Sequence, residues 1–127
     1  ATACVAYPTD LYDKVRKAKD IRGLRYIHLL VPCPSGWQYD PKDTVNIGQL
    51  AVETGAFILY EIENGELKLT GRSKRIAMGG KLKPIEEYLN FQKRFPKFSS
   101  EEISEYQEYI NSRWEEILKR DKSLKTK

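Results

Sequence analysis

The sequence predicts an α/β fold: a strand–helix–strand unit with a parallel sheet, then a β-hairpin, then a helical C-terminal extension. Three observations carry this. Two short apolar runs, Ala1–Tyr7 and Arg25–Val31, bracket a segment of helical periodicity. Asn64-Gly65, a strong two-residue hairpin signal, separates two further strand-like runs. Ser99-Ser100-Glu101-Glu102 has the form of a capping box and opens a long amphipathic stretch.

Each element has a local cause. Ala1–Tyr7 reads as the tail of a short buried strand. Pro8 and Thr9 open a helix, with Pro in the first turn and Asp10 near the positive end of the dipole. Leu11, Val15 and Ala18 form its apolar stripe, Lys14, Arg16, Lys17 and Lys19 face water, and Gly23 closes it. Arg25–Val31 is a nearly continuous apolar run, the pattern of a strand covered on both faces. These pieces make a βαβ unit, for which a right-handed crossover is expected. Pro32-Cys33-Pro34-Ser35-Gly36-Trp37 neither continues a strand nor starts a regular helix. Asp43 or Thr44 caps a second helix in which Ile47, Leu50, Ala51 and Thr54 share a face before Gly55. Ala56–Ile62 and Glu66–Thr70 form the hairpin. Gly71–Lys83, basic and glycine-bearing, reads as a mobile surface loop. Pro84 starts a short helix with Ile85, Tyr88 and Leu89, broken by Arg94-Phe95-Pro96. The last helix places Ile103, Tyr106, Ile110, Trp114 and Ile117 on one stripe, packed on its own domain or a neighbouring subunit, with glutamates opposite. The expected division is residues 1–70 as the α/β part with its hairpin, and 71–127 as basic loop and helical extension.

Composition narrows the function classes. At 127 residues, 40% apolar and 31% charged, the chain suits one soluble domain. No apolar run approaches the roughly 20 residues of a membrane helix, and no secretory signal opens the chain, so a cytoplasmic protein without a membrane partner is expected. The net charge of +4 resides wholly in Lys119–Lys127, a frayed end; the preceding 118 residues sum to zero. A nucleic-acid surface would set its basic residues on the folded body with aromatics interleaved, so no nucleic-acid partner is expected. Lys68–Lys83 holds six basic residues and no acid, but the acidic helix beyond it cancels the excess. Two cysteines are too few for a secreted disulfide scaffold and read as reduced thiols. A parallel sheet of two or three strands leaves both edges open. Strands missing on the N-terminal side would resolve this, in keeping with the absence of an initiator Met.

Cys33 is the strongest candidate for chemistry. It follows the carboxyl end of a predicted parallel strand, where open α/β sheets place their ligand crevices. Pro32 and Pro34 restrict the backbone on either side, and a thiolate held on a stiff turn suits metal or iron–sulfur ligation. The alternative is a buried, inert thiol. Trp37 either shields such a site or fills the core. His28, the one histidine, reads as a satisfied core residue, because no Cys, Asp or Glu stands near it at ligand spacing. Glu101–Glu116 reads as a solvated helix face, and Gly79-Gly80 as a flexible pair, weak as a phosphate cradle. Dinucleotide, Walker, HExxH and GxSxG signatures are all missing.

Ala1–Pro8 (Ala-Thr-Ala-Cys-Val-Ala-Tyr-Pro) and Tyr26–Trp37 (Tyr-Ile-His-Leu-Leu-Val-Pro-Cys-Pro-Ser-Gly-Trp) resemble the C-terminal third of the thiamine-diphosphate-binding beta subunit of 2-oxoacid:ferredoxin oxidoreductases, the pyruvate enzymes above all. The resemblance continues through Gly48–Gly55, Leu59–Gly65 and Pro84–Leu89 to Arg94-Phe95, in one order and spacing. It implies that the α/β part is the C-terminal part of a parallel-sheet thiamine-diphosphate-binding domain. It further implies an enzyme that decarboxylates a 2-oxoacid to an acyl-coenzyme A and passes electrons through 4Fe–4S clusters to ferredoxin. In that family four cysteines hold the cluster nearest the thiamine, and Cys33 matches the one that follows a late strand. Cys4 falls where the family commonly has a small residue, and no ligand role is carried onto it.

The three partner cysteines are missing here, as is the Gly-Asp-Gly stretch that grips Mg²⁺ and the diphosphate. The expectation is therefore a chain inactive alone that completes a cluster whose other ligands lie outside it. It reads as a fragment, a nicked product or a separately encoded piece, partnered by the rest of the beta subunit and the other oxidoreductase subunits. Ferredoxins are often acidic, so Lys74 and Arg75 in the basic loop are a plausible meeting point. The competing reading is a non-catalytic interaction or assembly module that uses the C-terminal helix.

Overall fold

A computed structural model describes residues 1–124. Strand β1 (Thr2–Cys4) pairs in parallel with β2 (His28–Leu30), Thr2 opposite His28 and Cys4 opposite Leu30. Helix α1 (Pro8–Asp20) makes the connection, with Pro8 in its first turn and Asp10 beside the free amides of that end. A single-turn helix α2 (Pro34–Trp37) and a 3₁₀ turn (Pro41–Asp43) lead into α3 (Thr44–Glu53). The antiparallel hairpin β3 (Tyr60–Glu63) and β4 (Glu66–Leu69) follows. Asn64 and Gly65 both sit at positive φ, 51° and 80°, as a type I′ turn requires. Helices α4 (Gly71–Ala77), α5 (Ile85–Asn90) and α6 (Ser100–Arg120) complete the chain. The parallel pair with its helix, the hairpin and the long C-terminal helix are the expected α/β elements in the expected order.

Two clusters form the core. Cys4, Ala6, Val52 and Leu59 lock α3 and the hairpin onto β1. Ile85, Leu89 and Ile110 join α5 to α6, with Ile103, Phe95 and Phe98 around them. The capping box at Ser99 and Glu102 is made in both directions. Thr2 ties the two sheets together: its hydroxyl donates to the Ile58 carbonyl at 2.6 Å and accepts from the Tyr60 amide at 3.0 Å.

Several expectations change. Arg25–Val31 is not a strand covered on both faces: only His28–Leu30 is extended, and Leu24, Tyr26, Leu29 and Val31 are exposed, Leu24 at 99%. Among the described residues the parallel sheet has two strands, too few to cover these side chains fully. Lys14 does not face water. It is 5% exposed while Val15 is 51% exposed, so the buried face of α1 runs through Leu11, Lys14 and Ala18. The lysine is tolerated because its ammonium is satisfied by the Thr2 carbonyl at 2.7 Å, the Thr70 hydroxyl at 2.6 Å and the Asp10 carboxylate. Helix α1 also ends three residues before Gly23. The basic segment expected to be a loop contains α4, whose Ser73 and Ile76 are buried; the Ser73 hydroxyl accepts the Leu59 amide at 2.9 Å. Pro34 starts a helical turn after all, since a proline at the first position sacrifices no helical hydrogen bond. The C-terminal end is not frayed through residue 124. Asp121 is fully buried and accepts from the Leu69 amide at 3.1 Å and from Ser123. Residues 125–127 of the basic tail lie outside the described residues. No helix among the described residues is long and apolar enough to cross a membrane.

Candidate functional site

Cys33 sits three residues beyond the carboxyl end of β2, as the N-cap of α2. Its side chain is exposed, so the buried, inert alternative does not hold. The thiol is held by its own turn. The Gly36 amide donates to Sγ at 3.4 Å, and the Ser35 hydroxyl lies 3.5 Å away. Both contacts favour the charged sulfur, and together they lower the Cys33 pKa, the Ser35 hydroxyl more than the Gly36 amide. A side chain at Gly36 would begin 3.3 Å from Sγ, so the glycine keeps the approach to this amide open.

Pro32 and Trp37 anchor the turn on either side. Pro32 is buried beside Gly48 of α3, at a point where a Cβ on Gly48 would meet Pro32 Cγ at 3.5 Å. Trp37 is half-buried, edge-on to Tyr39, with the Arg94 guanidinium carbon 4.4 Å from its ring centroid. Gln38, in the left-handed region, ends the helical turn. Trp37, the last residue of α2, therefore packs on Tyr39 and Arg94 and is half-buried rather than a core residue.

The other cysteine is a contrast. Cys4 is fully buried, lies 3.7 Å from the Gly48 carbonyl and has its pKa raised, chiefly by desolvation. Of the remaining candidates, His28 is exposed rather than buried in a core, standing edge-on to Phe57 at 5.3 Å. The glutamates of 101–116 face solvent as expected. The amides of Gly79 and Gly80 both turn back to the Ile76 carbonyl, closing α4, and so are not free to cradle a phosphate. Among the described residues, no three His, Cys, Asp or Glu side chains gather at metal-binding distance. Cys33 thus fits an iron–sulfur cluster only as a single thiolate, with its other ligands supplied from outside the chain. Sequence reasoning singled out Cys33, Pro32, Pro34 and Trp37 but missed the work of Ser35, Gly36 and Arg94. The first two were legible in principle, since a cysteine followed by Pro-Ser-Gly can cap its own turn; Arg94 carries no local signal.

Over 117 residues, 92% of its length, the chain is 50% identical to pyruvate synthase subunit PorB of Methanothermobacter marburgensis. It is 40% identical over 119 residues to ketoisovalerate oxidoreductase subunit VorB of Pyrococcus abyssi. Pyruvate synthase subunit PorB of Thermotoga maritima is 36% identical over the whole chain. The chain spans 37–39% of the length of these three relatives. No protein-family model matches it.

Proposed function

We infer the function from one premise: this chain is homologous to part of the PorB and VorB beta subunits of 2-oxoacid:ferredoxin oxidoreductases. It is a portion of a subunit that oxidatively decarboxylates a 2-oxoacid, forms an acyl-coenzyme A and passes electrons to ferredoxin in the cytoplasm. Pyruvate is the favoured substrate on the 50% identity to PorB of Methanothermobacter marburgensis, while VorB of Pyrococcus abyssi at 40% and PorB of Thermotoga maritima at 36% do not separate pyruvate from 2-oxoisovalerate. Thiamine diphosphate, with its Mg²⁺, would be held mainly by residues beyond this chain and would supply the electron sink for decarboxylation. A 4Fe–4S cluster supplies one-electron transfer.

The observation that carries the reading is the exposed Cys33 thiol just past the end of a parallel strand, with the Gly36 amide donating to its sulfur and the Ser35 hydroxyl within hydrogen-bond reach. As a cluster ligand it must be deprotonated, and Ser35 and Gly36 favour that state. Pro32 and Pro34 restrict the turn. The exposed apolar residues Leu24, Tyr26, Leu29 and Val31 support a surface that the rest of the subunit covers. The competing reading, an assembly module built on α6, has less support: Ile110 is buried against Ile85 and Leu89 with Ile103 beside them, which leaves Tyr106 as the exposed member of the stripe.

The test is Cys33→Ala in the complete subunit assembled with its partners. Loss of one cluster's iron and electron paramagnetic resonance signal is expected, with ferredoxin reduction abolished and substrate binding less affected. Undiminished iron content with normal ferredoxin reduction would rule the assignment out.

A further inference from the structure

We propose that Arg94 is a positioning residue for the Cys33 turn, clamping Trp37 so that α2 presents its Ser35 hydroxyl and Gly36 amide to the sulfur. The proposal rests on the reading of Cys33 as a cluster ligand only for its redox consequence; the clamp itself stands on geometry.

A four-residue helix cannot hold itself together, because nucleating a single turn costs more than its few hydrogen bonds return. Within the turn, the Trp37 amide bonds the Cys33 carbonyl at 2.9 Å and the Tyr39 amide bonds the Pro34 carbonyl at 3.2 Å. The remaining support must come from elsewhere in the fold. Buried Pro32 and Tyr39 fix the chain on either side, and Arg94 braces Trp37 between them, with its guanidinium carbon 4.4 Å from the Trp37 ring centroid and 4.6 Å from that of Phe95, so one cation serves two rings. The guanidinium is itself aimed. Arg94 Nε donates to Gln92 Oε1 at 2.9 Å, and Gln92, only 2% exposed, donates through Nε2 to the Tyr88 carbonyl at 3.0 Å. A continuous series of contacts therefore runs from α5 through Gln92, Arg94 and Trp37 to the turn that holds Sγ. The planar guanidinium suits this better than an ammonium, since it stacks while bonding edge-on.

The test has two arms. In the full chain carrying Trp114→Phe, which leaves Trp37 as the one tryptophan, acrylamide quenching of fluorescence reads the exposure of the clamped ring, and alkylation at fixed pH reads the Cys33 turn. Arg94→Ala should raise quenching by about two- to fivefold, the range expected from losing cation–π contact at an exposed site, and should slow alkylation, because a freed turn no longer presents Ser35 and Gly36 to the thiolate. Arg94→Lys, which keeps a cation over the ring, should restore both in part. In the complete enzyme, Arg94→Ala should shift the cluster's midpoint potential and resonance g-values while leaving KM for the 2-oxoacid near its original value. Unchanged quenching and alkylation in Arg94→Ala would overturn the clamp. If Arg94→Ala lowers the unfolding midpoint of the chain, Arg94→Met, which keeps the stem packing, repeats both measurements with the same criteria. The fluorescence arm needs no cluster, so a failure of Cys33 as a ligand and a failure of the clamp are separable.

Discussion

Replacing Gly48 by alanine sets two effects of opposite sign against each other, and the structure decides between them. In an open helix the change gains roughly 0.8–1 kcal/mol of helix propensity. Gly48, however, lies in the middle of α3 and is buried against β1 and the Pro32 turn. An added Cβ would stand 2.8 Å from Ala6 Cβ and 3.3 Å from Cys4 Sγ. Ordinary carbon–carbon contact begins near 3.5 Å, and Ala6 Cβ has no rotamer with which to withdraw. Backbone must therefore shift, and overpacking of this kind costs about 1–3 kcal/mol. The balance is a net destabilisation of up to about 2 kcal/mol, or a fall in Tm of up to roughly 8 °C for a chain of this size. Urea unfolding followed by circular dichroism measures it. Adding Ala6→Gly to Gly48→Ala should recover part of the loss, because the first change vacates the space the second fills. A Gly48→Ala chain more stable than the original by the full helix-propensity gain of about 0.8–1 kcal/mol would refute the claim that α3 is pressed onto β1 at this point.

Two further outcomes follow from buried or hydrogen-bonded groups. Asp121→Ala removes the acceptor of the buried Leu69 amide and should cost about 1–3 kcal/mol in urea unfolding, with Asp121→Asn costing less because it keeps one acceptor oxygen. Cys33 should alkylate with a pH midpoint below the ordinary thiol value of about 8.5, and Ser35→Ala should move that midpoint upward. Cys4, with its pKa raised by burial, should stay unmodified until the chain unfolds. The depressed Cys33 value also means that whatever stability its thiolate interactions contribute is present above the ordinary thiol range and is lost as pH falls through the folded value.

What the sequence made legible was whatever has a local cause. The Asn64-Gly65 turn, the Ser99 capping box, the proline start of α1 and the face of α3 each depend on residues within one or two turns of each other, and each forms as expected. Lys14 was misassigned because periodicity records only polarity. Its burial depends on the Thr2 carbonyl and the Thr70 hydroxyl, which the fold delivers from distant segments. Helix α4 was hidden for a similar reason: its basic, glycine-bearing composition resembles a loop, and its buried face consists of Ser73 and Ile76, a serine whose partner is an amide of another segment. The strand expected over Arg25–Val31 is more instructive. Its apolar chemistry is that of a covered strand, yet Leu29 and Val31 are exposed here. Composition can specify that a surface is covered without specifying by what.

The site shows the same division between local and distant causes. Cys33, the prolines beside it and the Ser35-Gly36 donors lie within one short segment, which is why the thiol could be singled out from sequence and why its lowered pKa has a local origin. The orientation of that segment is another matter. A proline-flanked turn is stiff within itself but is free to swing as a unit unless both its ends are fixed. On one side Pro32 is buried beside Gly48; on the other, Trp37 is capped by Arg94, itself aimed by buried Gln92. Gly48 belongs to α3, before the hairpin, and Arg94 to the connection between α5 and α6, after it, so segments on both sides of the hairpin are part of the site's support. Rigidity of this kind matters where a single thiolate must meet ligands from other segments, since a wandering turn would lose in ordering entropy what the metal bond gains. The two anchors should therefore act differently under perturbation. Crowding at Gly48 displaces a buried turn and registers as lost stability. Removing Arg94 frees an exposed one and registers at the sulfur, with little change in the unfolding midpoint.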